Sequence, residues 1–118
     1  EVITHLSVNS PGWVTHFSIH AIAAILSHRG KKKQVIDFLE FCQTHPYLTI
    51  YSTILEEEKK ISLLSHQGSM DFDDTLQYYV AKKNEFTLIT LDSDFSSLTD
   101  IRVMSPDEWI HQLDPATR

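Results

Sequence analysis

Between Thr87 and Leu91 the chain reads TLITL, an almost continuously apolar run between segments that are amphipathic at helical spacing. A strand without inside–outside alternation is expected to be covered on both faces, as in a parallel sheet flanked by helices. The rest of the sequence repeats that rhythm. WVTHF reads as a short strand and runs into SIHAIAAILSH, where Ile19, Ile22, Ala23 and Leu26 recur on one helical face and Ser18 is the expected cap. Val35, Ile36, Leu39 and Cys42 mark a second helix, which His45-Pro46 should end because the residue before proline avoids the helical region. YLTIYS is the next strand. It leads into ILEEEKKISLLSHQG, with an apolar stripe at Leu55, Ile61 and Leu64 and Gly68 expected as a left-handed C-terminal cap.

Met70 to Lys83 reads as a further helix, IRVM as a short strand, and PDEWIHQL as a last helix capped by Ser105 with Pro106 in its first turn. The first twelve residues, EVITHLSVNSPG, read as a strand or an extended arm ending at Pro11-Gly12. Strands alternating with helices predict a three-layer α/β/α sandwich with a mostly parallel sheet. A length of 118 residues predicts one domain, residues 1–118. No apolar run approaches the roughly 18 residues needed to span a bilayer, and no charged leader opens the sequence, so a cytoplasmic protein without membrane association is expected. Cys42 has no intrachain partner and reads as a small core residue.

A net charge of −6 argues against a broad phosphate-gripping surface. It is compatible with an acidic nuclease, in which a bound metal supplies the positive end. The acids are concentrated at two places: Asp71, Asp73 and Asp74 open the Met70–Lys83 helix, and Asp92 and Asp94 follow TLITL. Ligands of open parallel sheets collect outside the carboxyl ends of the strands, where Asp92 and Asp94 stand. A helix antiparallel to the following strand would bring its N-terminus to the same end, so both clusters should face one cleft. Their mutual repulsion is tolerated when a hard divalent cation such as Mg²⁺ or Mn²⁺ neutralises it. Any one of these aspartates alone is an ordinary cap or loop residue; the joint arrangement carries the signal.

DFDDTLQYYVAKK followed by LITLDSDF and IRVMSP resembles the C-terminal half of PIN domains, the fold of the VapC-like toxin ribonucleases of toxin–antitoxin pairs. The resemblance covers about Trp13 to Leu113 and is strongest from Asp71 to Pro106. It implies a parallel α/β/α sandwich whose acids bind Mg²⁺ or Mn²⁺ and cut RNA, with an antitoxin-like protein or a second copy as partner. Asp74 matches the family's helix aspartate, Asp92 the aspartate after the fourth strand, and Asp94 the further acid beyond it. Asp74 and Asp92 are therefore the implied catalytic pair, and all three are implied metal ligands. Asp71 and Asp73 flank them, Thr90 occupies the hydroxyl position before the loop aspartate, and Phe95 is the aromatic packed behind it.

Two departures stand out. Where the family has a glutamate opening its second helix, this chain has His20, whose imidazole can bind Mn²⁺ or Zn²⁺ but brings no negative charge and is a poor Mg²⁺ ligand. The family also begins with a central strand ending in aspartate, and no aspartate precedes Trp13. Three explanations stand side by side: the strand lies upstream of Glu1, EVITHLSV replaces it without its acid, or a neighbouring subunit supplies it. The consequence is a choice between a metal-dependent ribonuclease and a silent PIN-like module that binds a protein or itself.

The remaining features read blandly. Arg29 to Lys33 could contact RNA phosphates but reads rather as a solvated turn, and Glu56, Glu57 and Glu58 with Lys59 and Lys60 as a solvent face. Tyr79 falls in the core phase, which leaves Tyr78 as a base-stacking candidate. His16 and His20 have the spacing of two metal ligands on one helical face, but His16 is expected to lie in the strand.

Overall fold

A computed structural model describes residues 5–113. Of the N-terminal arm or strand expected over residues 1–12, residues 1–4 lie outside that range. The described part is an α/β chain with five helices and short parallel strands, and it divides into two compact units, Leu6–Thr53 and the chain from Ile54 onward together with His5.

In the first unit, β1 (Gly12–Thr15) pairs in parallel with β2 (Leu48–Tyr51), Gly12 opposite Leu48 and Thr15 opposite Tyr51. The connection is a crossover through α1 (His16–His28) and α2 (Lys32–Thr44), as parallel pairing requires. Residues 7–10 form only a tight reversal bridged between Ser7 and Ser10. Thr15 caps α1: its hydroxyl oxygen accepts the Ser18 N–H at 3.1 Å, and its hydroxyl donates to the Ser18 Oγ at 2.9 Å. The cap thus lies three residues before the expected Ser18, and His16 becomes the first helical residue. Gly30 ends the helix at φ 73°, donating to the Ser27 carbonyl while Lys31 N–H reaches back to Leu26. Lys32 and Lys33, assigned above to a loop, start α2. The α2 helix stops before His45-Pro46 as expected. Cys42 is buried, and burial pushes its thiol pKa up, as suits a core residue rather than a nucleophile.

The second unit packs α3 (Leu55–Gln67) on α4 (Phe72–Asn84), then adds β3 (Leu88–Ile89), β4 (Val103–Met104) and α5 (Pro106–Gln112). Ile61 and Leu76 are 0% and 1% exposed, and Val80, Ala81 and Phe95 are buried with them. β3 and β4 are parallel, Leu88 opposite Val103 and Ile89 opposite Met104. The apolar run TLITL is therefore a strand only at its centre, with Leu88 and Ile89 half-buried rather than covered on both faces, and Leu91 is 88% exposed where the chain turns toward Asp92. Gly68 ends α3 at φ −111°, not in the left-handed region; its N–H bonds the Leu64 and Ser65 carbonyls. The left-handed cap instead closes α4, at Glu85 with φ 56°.

Glu57 departs most from its expected solvent face. It is 8% exposed, accepts the Ile54 N–H at 3.1 Å on one oxygen and pairs with Lys83 Nζ at 2.8 Å on the other. This pair pins the start of α3 to the end of α4. At the opposite end of that helix pair, the Ser65 hydroxyl donates to the Met70 carbonyl at 2.8 Å, and the Thr75 hydroxyl donates to the Asp71 carbonyl at 2.7 Å. The first turn of α4 is thereby fixed from both sides.

Candidate metal centre

Three short-range facts place the acids. The α4 helix starts at Phe72, so Asp74 lies in its first turn, where a carboxylate is favoured by the helix dipole. The chain leaving β3 folds into a 3₁₀ turn, Ser93–Phe95, anchored below by buried Phe95. That turn is held by two successive side-chain caps: the Thr90 hydroxyl oxygen accepts the Asp92 N–H at 3.0 Å, and Asp92 Oδ1 accepts the Asp94 N–H at 2.9 Å.

The result brings Asp74, Asp92 and Asp94 together, one carboxylate oxygen from each lying within 4.8 Å of the others. Octahedral Mg²⁺ with ligands at about 2.0–2.1 Å puts its oxygens about 2.9 Å apart when adjacent and about 4.2 Å when opposite. The observed spacing thus needs only a small side-chain adjustment to match one ion. Asp92 and Asp94 are exposed and Asp74 half-buried, so such movement and the entry of water are open.

The electrostatics point the same way. Partial burial raises the Asp74 pKa above the ordinary carboxylate value, and Asp73, Asp92, Asp94 and Asp71 add repulsion in that order. A divalent cation among these groups would reverse the effect, because its positive charge favours the ionised carboxylates and offsets their mutual repulsion. The donor set, all carboxylate oxygen and partly solvated, fits a hard cation such as Mg²⁺ or Mn²⁺ and not a thiolate- or imidazole-seeking one.

Among the other residues singled out by sequence, Thr90 sits at the site, but its hydroxyl oxygen takes a backbone N–H rather than a carboxylate. Asp71 is the residue before α4; it is exposed and its side chain caps nothing, so it acts on Asp74 through its charge alone. His20 belongs to the first unit, on α1, with its ring against His16. Tyr78 is not a free stacking surface: its hydroxyl donates to Asp100, and Lys82 lies 5.7 Å above its ring while bonding Asp100 at 2.9 Å. Those contacts depress the Asp100 pKa, the Tyr78 hydrogen bond first and Lys82 second, and they tie α4 to the loop before β4.

Sequence reasoning did not mark the open groove of about 620 Å³ that starts at Asp92 and runs past Ser96 and Thr99 to Ser105. Its signal was the density of hydroxyl residues between Thr90 and Ser105. No family model, curated protein or solved structure matches the chain.

Proposed function

We propose that the chain is a PIN-like domain of ribonuclease ancestry, built as a three-layer α/β/α sandwich, in which Asp74, Asp92 and Asp94 hold Mg²⁺ or Mn²⁺ for hydrolysis of RNA phosphodiesters. The observation that carries the reading is the convergence of three carboxylate oxygens within 4.8 Å from a helix start and a strand end. A bound ion of this kind supplies Lewis-acid polarisation of a phosphodiester and activation of water. Asp74 and Asp92 are the implied catalytic pair: with Asp94 they fix the position of the ion, and a carboxylate of the set accepts the proton of the attacking water. Thr90 holds the backbone at Asp92, so the loop is set before substrate arrives. The groove beside Asp92, lined by hydroxyl residues, by Leu98, Ile101 and Val103 and by Glu108, would receive a segment of the RNA chain next to the cleaved bond.

A second reading is a catalytically inactive module of the same ancestry that binds an antitoxin-like protein or a second copy of itself. What favours it is the run of exposed apolar side chains on α1 and α2, including Ile22, Ile25, Ile36, Leu39 and Phe41. Under either reading the protein works in the cytoplasm. A Mn²⁺-dependent RNA cleavage assay separates the two. The nuclease reading requires cleavage by the parent that falls at least a hundredfold in Asp74→Asn and in Asp92→Asn; no cleavage by the parent, or cleavage by both variants undiminished from the parent's, removes it.

A further inference from the structure

The start of α1 carries a second group of metal-ligating side chains, unlike the acid cluster in chemistry. With Thr15 as cap, His16 and His20 occupy the first and fifth helical positions and so project from one face. Their rings lie 4.3 Å apart, centroid to centroid, and both residues are exposed. His16 Nδ1 is 3.4 Å from the Ser52 hydroxyl, just beyond β2. A histidine that binds metal usually engages its second ring nitrogen in a hydrogen bond, which fixes the tautomer and the ring plane. In the tautomer whose Nδ1–H is donated to Ser52, the lone pair of His16 is on Nε2. The groove of about 390 Å³ beside His16 is lined mainly by Ile19, Leu39, Cys42, Leu48 and Ile50, so water for the remaining coordination positions reaches the two exposed rings from the solvent side.

We propose that His16 and His20 form a two-imidazole site for a borderline transition-metal ion, of which Zn²⁺ is the representative. Imidazole nitrogen suits Zn²⁺, Cu²⁺ and Ni²⁺ and is a poor match for Mg²⁺. The chain thereby separates two kinds of cation: hard ions at carboxylates in one unit, softer ions at imidazoles in the other. The helix dipole opposes a cation at this end of α1, but the ligands are exposed and the opposition is screened by solvent. The site is open on its solvent side, so it holds the ion with exchangeable positions rather than as a closed structural centre.

The test uses the full chain carrying Asp74→Asn and Asp92→Asn, titrated calorimetrically with Zn²⁺ in excess Mg²⁺, so that the acid cluster contributes nothing. One equivalent should bind. Adding His16→Asn or His20→Asn should weaken that binding at least about tenfold, Ser52→Ala should weaken it less, and His28→Asn should leave it unchanged. Absence of Zn²⁺ binding, binding undiminished by His16→Asn and His20→Asn, or an equal loss in the His28 variant would overturn the proposal. A measurement without substitutions at the histidines protects the result from misfolding: Ni²⁺ added to the otherwise unmutated chain should broaden the His16 and His20 ring protons before those of any other histidine. Earlier broadening elsewhere would overturn it.

Discussion

The two units bury their apolar residues unequally. From Ile54 onward, Ile61, Leu76, Val80, Ala81 and Phe95 form a closed core between α3, α4 and the 3₁₀ turn, whereas in Leu6–Thr53 only Ile19 and Cys42 are buried among the apolar side chains. Ile36 on α2 is 65% exposed. A unit this small has little apolar surface to bury. The dense unit is also the one that carries the acid trio, which fits a general requirement: a site that must hold mutually repelling groups needs a rigid support.

The contrast can be broken most directly in the cores. Leu76→Ala should destabilise the protein by about 2–5 kcal/mol, while Ile36→Ala should stay within about 0.5 kcal/mol, both read from urea denaturation. Equal effects would dissolve the distinction between the units. The Glu57–Lys83 pair sharpens it next. Lys83→Met leaves a largely buried carboxylate without its cation and should cost about 1.5 kcal/mol, the low end for hydrogen bonds to charged groups because Lys83 is half exposed. In the sparse unit, Gly30→Ala should cost about 1 kcal/mol through backbone strain alone, since nothing stands within 4 Å of the added methyl.

The smallest effect belongs to the acid cluster. Asp74 has a raised pKa in the folded state, so the folded chain holds its proton more tightly than the unfolded one. Its contribution is favourable below the unfolded value of 3.8 and is lost as pH rises through the folded value. Asp74→Asn should therefore raise the melting temperature at neutral pH, by no more than about 1 kcal/mol in stability, and the gain should vanish in thermal melts below pH 3.8. Asp100 has the opposite sign. Its depressed pKa makes Asp100→Asn destabilising at neutral pH, with the difference closing as pH falls through that lowered value.

How much of this was legible in the sequence depends on the range of the forces involved. The helices were readable from apolar spacing and from Pro46 and Pro106, and the acid trio from its place at a helix start and a strand end. Cap positions were missed by a few residues because Thr15 and Ser18 are both good caps, and only the end of β1 decides between them. That shift moved His16 out of the strand and created the imidazole pair. The burial of Glu57 was hidden by its neighbours: EEEKK has the composition of a solvent face, yet Glu57 lies one turn before Ile61 and shares its stripe. TLITL looked like a full buried strand because composition does not reveal where a chain must bend, and the Thr90 and Asp92 caps bend it after Ile89.

The central claim is that Asp74, Asp92 and Asp94 act together as a ligand set for one hard cation. Calorimetric titration with Mn²⁺ tests it most directly. The account predicts one ion bound by the parent, retained in His16→Asn and lost in the Asp74→Asn, Asp92→Asn double variant. Heats from the parent no larger than those from the double variant would contradict it.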